Sequence, residues 1–194
     1  MFRYGFVFLM VLFITNCTQF VSSTKMPDIT FEHIVSRPLA VSQIEVSDKY
    51  TPPLQSPNVE HLFKTPPYIA IYNFIQNSYH PAAEQGYVHI IIEEASVVKE
   101  NLPIESGFKG LFEKPMARYT GKVKIRIEAR DISGQSVISS GHASVLAERS
   151  RTIKQDTPLK DKFYMHFELT ESLIADVQKG IEDAFNNKIP KILK

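Results

Sequence analysis

The sequence predicts an α+β domain in which an antiparallel sheet of about four strands is covered on one face by two helices. Runs of β-branched and alternating residues predict the strands, and two apolar stripes at helical spacing, each preceded by a Thr-Pro pair, predict the helices. A length of 194 residues favours one domain, large enough to fold without disulfides or metals.

The first strand and the first helix lie on either side of a proline-rich stretch. Residues 38–48 are rich in β-branched side chains and favour a strand. Residues 49–67 contain five prolines, which oppose regular structure and favour extended segments. Thr65 followed by Pro66 is typical of a capped helix start, so a helix is predicted over residues 66–79.

Three consecutive strands are expected to form most of the sheet. Residues 87–99 are strongly strand-like, and residues 119–131 alternate strictly between apolar and charged side chains, as in an antiparallel strand with one wet face. Residues 131–134 (Asp-Ile-Ser-Gly) indicate a hairpin turn. The return strand is predicted over residues 135–149, with small side chains along one face that let a helix pack closely.

The final helix is predicted over residues 158–188. Thr157 and Pro158 repeat the cap-then-proline pattern. A continuous apolar stripe follows at spacings of three and four: Phe163, Phe167, Thr170, Ile174, Val177, Ile181 and Phe185.

The charge balance excludes nucleic acid as an expected partner. The chain has 22 basic and 21 acidic residues, and loss of residues 1–16 would remove only Arg3, leaving a net charge of zero. A neutral domain lacks the basic surface that nucleic-acid binding requires. The single cysteine, Cys17, rules out an internal disulfide or a cysteine metal site.

The first seventeen residues have the anatomy of an export signal. Arg3 precedes ten residues, 5–14, without a charge, a run too short to span a bilayer. Ile14-Thr15-Asn16-Cys17 then resembles the lipobox of bacterial lipoproteins, although Asn16 replaces the usual Gly, Ala or Ser. The resemblance implies cleavage before Cys17, a diacylglyceryl thioether on its sulfur and an acylated N-terminus.

This interpretation divides the chain into a signal peptide (1–16), a lipidated tether (17–36) and a single domain (37–194). Thr18, which is not Asp, implies sorting to the periplasmic face of the outer membrane. Two alternatives remain open. Val21-Ser22-Ser23 would also suit a secretory peptidase and release a soluble periplasmic protein starting at Thr24, or the segment stays uncleaved. The position of the only cysteine favours the lipoprotein.

The sequence offers no catalytic site, so we predict a protein that is not an enzyme and has no cofactor or metal. It has no nucleophile elbow, P-loop, dinucleotide fingerprint or HExxH motif. The histidines include none at i, i+3 or i, i+4, although His89 and His142 lie in predicted strands and could be neighbours. The adjacent Glu93 and Glu94 point to opposite faces, so we expect one to pair with a base on the next strand. Arg149 and Arg151 could clamp a phosphate, but solvated strand-end charges are favoured.

Two segments carry large apolar side chains that are either exposed for a lipid or partner, or folded into the core. The first is an irregular insert, and the second lies in the proline-rich stretch. The candidate contact residues are Phe108, Leu111, Phe112, Met116, Leu62 and Phe63.

The layout after Cys17 is similar to that of small proteobacterial envelope lipoproteins. These include the auxiliary lipoproteins of ABC-type lipid transport systems and the lipoprotein that plugs the lipopolysaccharide-assembly barrel. Residues 56–63 and 110–112 also resemble uncharacterised alphaproteobacterial lipoproteins. We therefore expect a non-catalytic binding or scaffold component of an envelope complex. A lipid- or glycolipid-binding transport subunit is the alternative, and an envelope hydrolase a remote third.

Overall fold

The structure is a computed structural model that describes residues 27–32, 34–103, 114–133 and 136–189. Its elements in chain order are β1 (Arg37–Leu39), β2 (Gln43–Asp48), α1 (Pro67–Ser78), β3 (Tyr79–Pro81), β4 (Tyr87–Asn101), β5 (Met116–Ser133), β6 (Ser136–Lys154) and α2 (Leu159–Asp183). A 3-10 turn at Glu60–Leu62 and a π-helical turn at Ala184–Lys188 complete the described regular structure.

Four strands form the main sheet in the order β2-β4-β5-β6, and both helices pack on one of its faces. The predicted α+β class is confirmed, but the expectation of a purely antiparallel sheet is wrong at β2, which pairs parallel to β4. The reason is the crossover: β2 reaches β4 through α1, and a helix laid across the sheet returns the chain in the same direction. The short strands β1 and β3 also pair in parallel.

The hairpin of β5 and β6 is longer than the alternating pattern predicted. Pairing runs from Met116 opposite Lys154 to Ser133 opposite Ser136. The predicted turn at residues 131–134 is therefore wrong for its first three residues, which lie within β5. Residues 134–135, which connect the strands, fall outside the described residues. The backbone groups of polar residues pair across a hairpin as well as those of apolar residues do. Backbone pairing therefore continues beyond the segment in which apolar and charged side chains alternate.

Both helices begin one residue later than predicted, because the prolines are N-caps rather than first helical residues. Pro66 and Pro158 have ψ values of 141° and 148°, which are extended, and neither helix has a side-chain cap. α2 also ends earlier than predicted, at Asp183, where the π-helical turn begins.

The core lies between the sheet and the helices. The largest fully buried apolar side chains there are Ile71, Ile75, Ile90, Ile92, Ile125, Ile127, Leu169, Leu173 and Ile181. Burying each such side chain is worth about 1.5–3 kcal/mol. The predicted small-residue face of β6 is confirmed: Ala143, Val145 and Ala147 are buried, and a Cβ at Gly180 of α2 would collide with Val145.

The proline-rich stretch is held against β4. A bulge between Ile92 and Glu94 interrupts the strand where its pairing with β2 ends. Beyond the bulge, the Val59 amide donates to the Val97 carbonyl at 2.8 Å. Glu60 is fully buried and accepts hydrogen bonds from the Tyr50 hydroxyl at 2.6 Å and the Val97 amide at 3.1 Å. A buried carboxylate thus fixes the stretch to the sheet.

Candidate functional site

A groove of about 740 Å³ lies between the two helices and the extended chain that precedes β1. We call this chain, residues 27–32 and 34–36, the N-terminal segment. Its side chains Ile29, Phe31 and Ile34, although within the predicted tether, pack against the core. The rings of Phe31 and Phe74 meet at a centroid distance of 6.1 Å. The N-terminal segment is therefore one wall of the groove, and the helices are the others.

Helical spacing places the other lining residues. α1 contributes Phe74 and Ser78, which are one turn apart and buried. α2 contributes a row along three turns, in which Ile174 is buried and Glu171 and Ala175 are exposed at the rim. This row consists of Glu171, Ser172, Ile174, Ala175, Gln178 and Glu182.

One end of the groove is polar, and its side chains are held in place by an ion pair and a hydrogen bond. Arg37 of β1 approaches Glu182 with Nη1 to Oε1 at 2.7 Å, and Gln178 donates to the same carboxylate at 2.9 Å. Burial, reinforced by the Glu182 charge and opposed by Arg37, raises the pKa of Tyr79 to about 12. The Tyr79 hydroxyl is therefore neutral at physiological pH.

The described lining of the groove combines apolar side chains with the Arg37–Glu182 ion pair and the amide of Gln178. Mixed linings of this kind are common in ligand-binding pockets. The described residues that line the groove include no histidine or cysteine; His33 of the same wall lies outside the described residues. Among the described residues, no cluster of three or more His, Cys, Asp or Glu side chains could hold a metal ion.

The candidate contact residues from the sequence are divided by the structure. Phe63 is buried and its ring stacks on His166 at 3.8 Å, so it belongs to the core. Leu62 is 59% exposed. Met116 begins β5 and is half-buried. Cys17, Phe108, Leu111 and Phe112 lie outside the described residues.

The prediction for the acidic pair of β4 is confirmed in one part and wrong in the other. Glu93 forms ion pairs with Lys124 at 3.0 Å and Arg126 at 2.8 Å, both on β5, so the expected pairing with a neighbouring base is confirmed. The expected opposite orientation is wrong, because the bulge between Ile92 and Glu94 shifts the register and places Glu94 opposite Lys124, on the same open face as Glu93. Glu94 accepts a hydrogen bond from Ser96 at 2.7 Å.

Two other sequence expectations change. His89 and His142 are not direct neighbours, because both lie opposite Glu128 of the intervening strand. Arg149 forms a two-pronged pair with Asp176 of α2, both distances being 2.6 Å, and Arg151 donates to Ser172 at 3.1 Å. The two arginines thus fasten the helix to the sheet edge and are neither freely solvated nor arranged as a phosphate clamp.

The groove itself was missed by the sequence analysis, because residues 27–36 were assigned to the tether. A signal was present in the apolar residues Ile29, Phe31 and Ile34, which recur too densely for a solvated linker. Their neighbours on the helices, however, become evident only once the chain is folded.

The chain was compared with protein families, with curated proteins and with solved structures. No protein-family model matches the chain, and no curated protein matches it. Among solved structures, similar chains include a minor lipoprotein from Acinetobacter baumannii (TM-score 0.38, 10% identity, 81% of this chain and 98% of that one). Another is the rare lipoprotein B from Shewanella oneidensis (TM-score 0.41, 9% identity, 77% and 98%). A third is a neuraminyllactose-binding hemagglutinin homolog from Helicobacter pylori (TM-score 0.36, 8% identity, 85% and 97%).

Two of these three similar chains are bacterial lipoproteins, but at such low TM-scores the likeness carries no argument about this chain. A separate observation concerns the helices. In the part of the chain that the structure describes, none is long and apolar enough to cross a membrane.

Proposed function

We propose that this protein is an envelope lipoprotein, anchored through Cys17, whose domain is a non-catalytic binding component of an envelope complex. The observation that carries the proposal is that the N-terminal segment, which follows Cys17 closely in the chain, packs against the core and forms one wall of the groove. Only nine residues, 18–26, separate Cys17 from the N-terminal segment. Anchor and groove are therefore adjacent in the chain.

The lining of the groove suits a segment of a partner protein. Apolar side chains such as Phe31, Phe74 and Ile174 would receive apolar side chains of the partner. The rim groups Glu171 and Gln178 would bind its polar groups, with Glu171 offering a carboxylate to a basic residue. A mixed surface of this kind is usual at protein interfaces.

A lipid-carrying role has less support. It requires an apolar cleft between sheet and helices, and that interface is filled in the described domain by side chains such as Ile75, Ile92 and Leu173. An acyl chain in the groove would instead lie against a rim containing Arg37 and Glu182, whose desolvation is costly.

The proposed location is the periplasmic face of the outer membrane, on the strength of Cys17 and Thr18. The test is fractionation of the full chain with Cys17→Ser, beside Ser23→Arg, which places a large charged residue directly before the alternative cleavage site at Thr24. We expect Cys17→Ser to leave the membrane fraction and Ser23→Arg to stay. Intact-mass analysis showing residue 17 without lipid, or a mature chain starting at Thr24, would contradict the anchor.

The binding role is tested by crosslinking in cells. A photoreactive residue replaces Ala175, which is exposed in the groove, and the control replaces Ala83, which is exposed outside it. We expect a discrete protein adduct from position 175 that is absent from position 83 and is weakened by Cys17→Ser. Identical adducts from both positions, or a lipid adduct from position 175, would reject a protein-binding groove.

A further inference from the structure

Several basic side chains without a carboxylate partner lie at one end of the domain; Lys162 donates to the Gln155 carbonyl, and Lys99 and Lys160 lie over tyrosine rings. This end, which we call the basic end, consists of residues 99–101, 114–118 and 152–162, where β4 and β6 finish and β5 and α2 begin. It carries six basic and three acidic side chains. Of the basic ones, four have no carboxylate oxygen within 4.0 Å among the described residues: Lys99, Lys154, Lys160 and Lys162.

The other end of the domain has the opposite balance. There β4 begins, β5 ends and α2 finishes. Residues 84–88, 128–133 and 179–188 carry five acidic and three basic side chains, and Arg37 adds a fourth basic one beside Glu182. Among the described residues, positive charge is therefore in excess at the basic end and slightly outnumbered at the other. Such an asymmetry favours one orientation on a charged surface, even when net charge is near zero.

The proposed tether leaves the domain at the basic end. Asp28 of the N-terminal segment is ion-paired with Lys64 at 2.9 Å. Pro27 and Asp28 lie against Phe163 and His166, in the first turns of α2. From Cys17 to Pro27 there are ten Cα-to-Cα steps, which extend to at most about 35 Å. A lipid on Cys17 would thus keep this end, rather than the acidic one, close to the bilayer.

From these observations we infer that the basic end rests on the anionic phospholipid headgroups of the membrane that holds the anchor. This inference rests on the proposed function. The lysines Lys99, Lys154 and Lys160 are exposed on long side chains and reach a negatively charged surface without any rearrangement of the fold. Their attraction acts over roughly 8 Å at physiological ionic strength, so it needs the tether to bring them near.

The orientation has a consequence for binding. The groove is lined by α2 from Glu171 to Glu182 and by Tyr79, which lie toward the acidic end of the domain. With the basic end on the membrane, the groove faces away from the headgroups and stays open to a periplasmic partner.

The experiment uses the lipidated full chain in vesicles. A spin label on the protein measures how close the labelled residue lies to the membrane surface. Because Cys17 is the only cysteine and is acylated in this proposal, single labels can be placed at Thr152→Cys, at the basic end, or at Ser140→Cys, at the other. Both positions are exposed and both lie on β6. The vesicles contain phosphatidylcholine with phosphatidylglycerol, plus a nickel-chelating lipid that relaxes nearby labels.

We expect relaxation at position 152 to exceed that at position 140 by about threefold or more, and the difference to shrink at roughly 1 M salt, where screening shortens to about 3 Å. The triple variant Lys154→Glu, Lys160→Glu, Lys162→Glu should remove the difference. The control Lys179→Glu, Lys188→Glu, at the other end, should keep it. Circular dichroism checks that both variants fold.

The experiment distinguishes a wrong orientation from a wrong anchor. Chains that float with the vesicles but show equal relaxation at both labels, or a triple variant that behaves like its control, would overturn the orientation and leave the anchor intact. Chains that do not float would overturn the anchor and the orientation together.

Discussion

The two faces of the sheet show how one strand serves two purposes. On the covered face of β5, Ile125 and Ile127 are fully buried beneath the helices. On the open face of the same strand, Lys124 and Arg126 share the carboxylate of Glu93 and remain about half exposed. The two pairs alternate along one strand. Burial makes Ile125 and Ile127 important for stability, whereas Lys124 and Arg126 mainly keep the open face soluble. The fold should therefore be most sensitive to change on the covered face, although Ile91 of β4 is also buried on the open face.

The largest expected effect is a cavity on the covered face. Leu173→Ala removes a fully buried side chain that presses on Gly121, and should lower the free energy of unfolding by about 2–5 kcal/mol. Leu146→Ala is the matched change on the open face, where the side chain is 74% exposed, and should stay within about 0.5 kcal/mol. Urea denaturation measures both. Similar losses for the two variants would show that the open face is covered in solution.

A smaller effect concerns pH, through a histidine on the covered side. His166 stacks on Phe63 and meets the ring of Phe163 edge-on, and neither ring nitrogen has a hydrogen-bond partner among the described residues. Burial, followed by the charge of Lys162, lowers the pKa of His166 from 6.5 to about 4. The unfolded chain therefore binds the proton first, and stability is complete above pH 6.5 and falls as pH drops toward 4.

We expect a loss of about 2 kcal/mol across this window, after allowance for solvent screening of the partly exposed ring. His166→Phe keeps the stack and removes the titration, so its unfolding free energy should vary less with pH. His142→Gln, on the exposed strand β6, is the control and should follow the parent. A parent-like slope in His166→Phe would assign the pH dependence to other groups.

The smallest effect belongs to the open face. The hydrogen bond from Lys124, opposed by burial, lowers the pKa of Glu93, so its contribution is present at neutral pH and is lost as pH falls through the acidic range. Glu93→Gln should cost only about 0.2–1 kcal/mol, because exposed ion pairs are screened by solvent. The cost should shrink further in high salt. A loss as large as that of Leu173→Ala would mean that the two faces do not differ in the way described.

Much of the fold was accessible from residue patterns. The alternation in β5 predicted its wet and dry faces, and the stripe in α2 predicted the side that packs on the sheet. Strand direction was not predicted for β2, because side-chain alternation identifies a face and carries no sign of direction. The order strand-helix-strand did hold that information, since a helical crossover favours parallel pairing.

The candidate site was harder to predict because it joins distant parts of the chain. Arg37 and Glu182 form one rim of the groove although 144 positions separate them in the sequence. The buried Glu60 is a similar case, since nothing local marks a carboxylate whose partners, Tyr50 and Val97, approach only in the folded sheet. Cys17 and the apolar insert residues lie outside the described residues, so their assigned roles stay predictions.

The bulge in β4 has a consequence for how molecules of this protein meet each other. Before the bulge, β4 is flanked by β2, and after it by the proline-rich stretch through Val59. That margin is closed to strand addition along both halves, so lateral growth by backbone pairing is blocked there. Within the described sheet, the outer margins of β2 and β6 carry no paired strand, and Arg149, Arg151 and Lys154 place charges along the final third of β6. Any lateral polymer of intact domains would have to start from the margin of β2 or from the part of β6 that precedes Glu148.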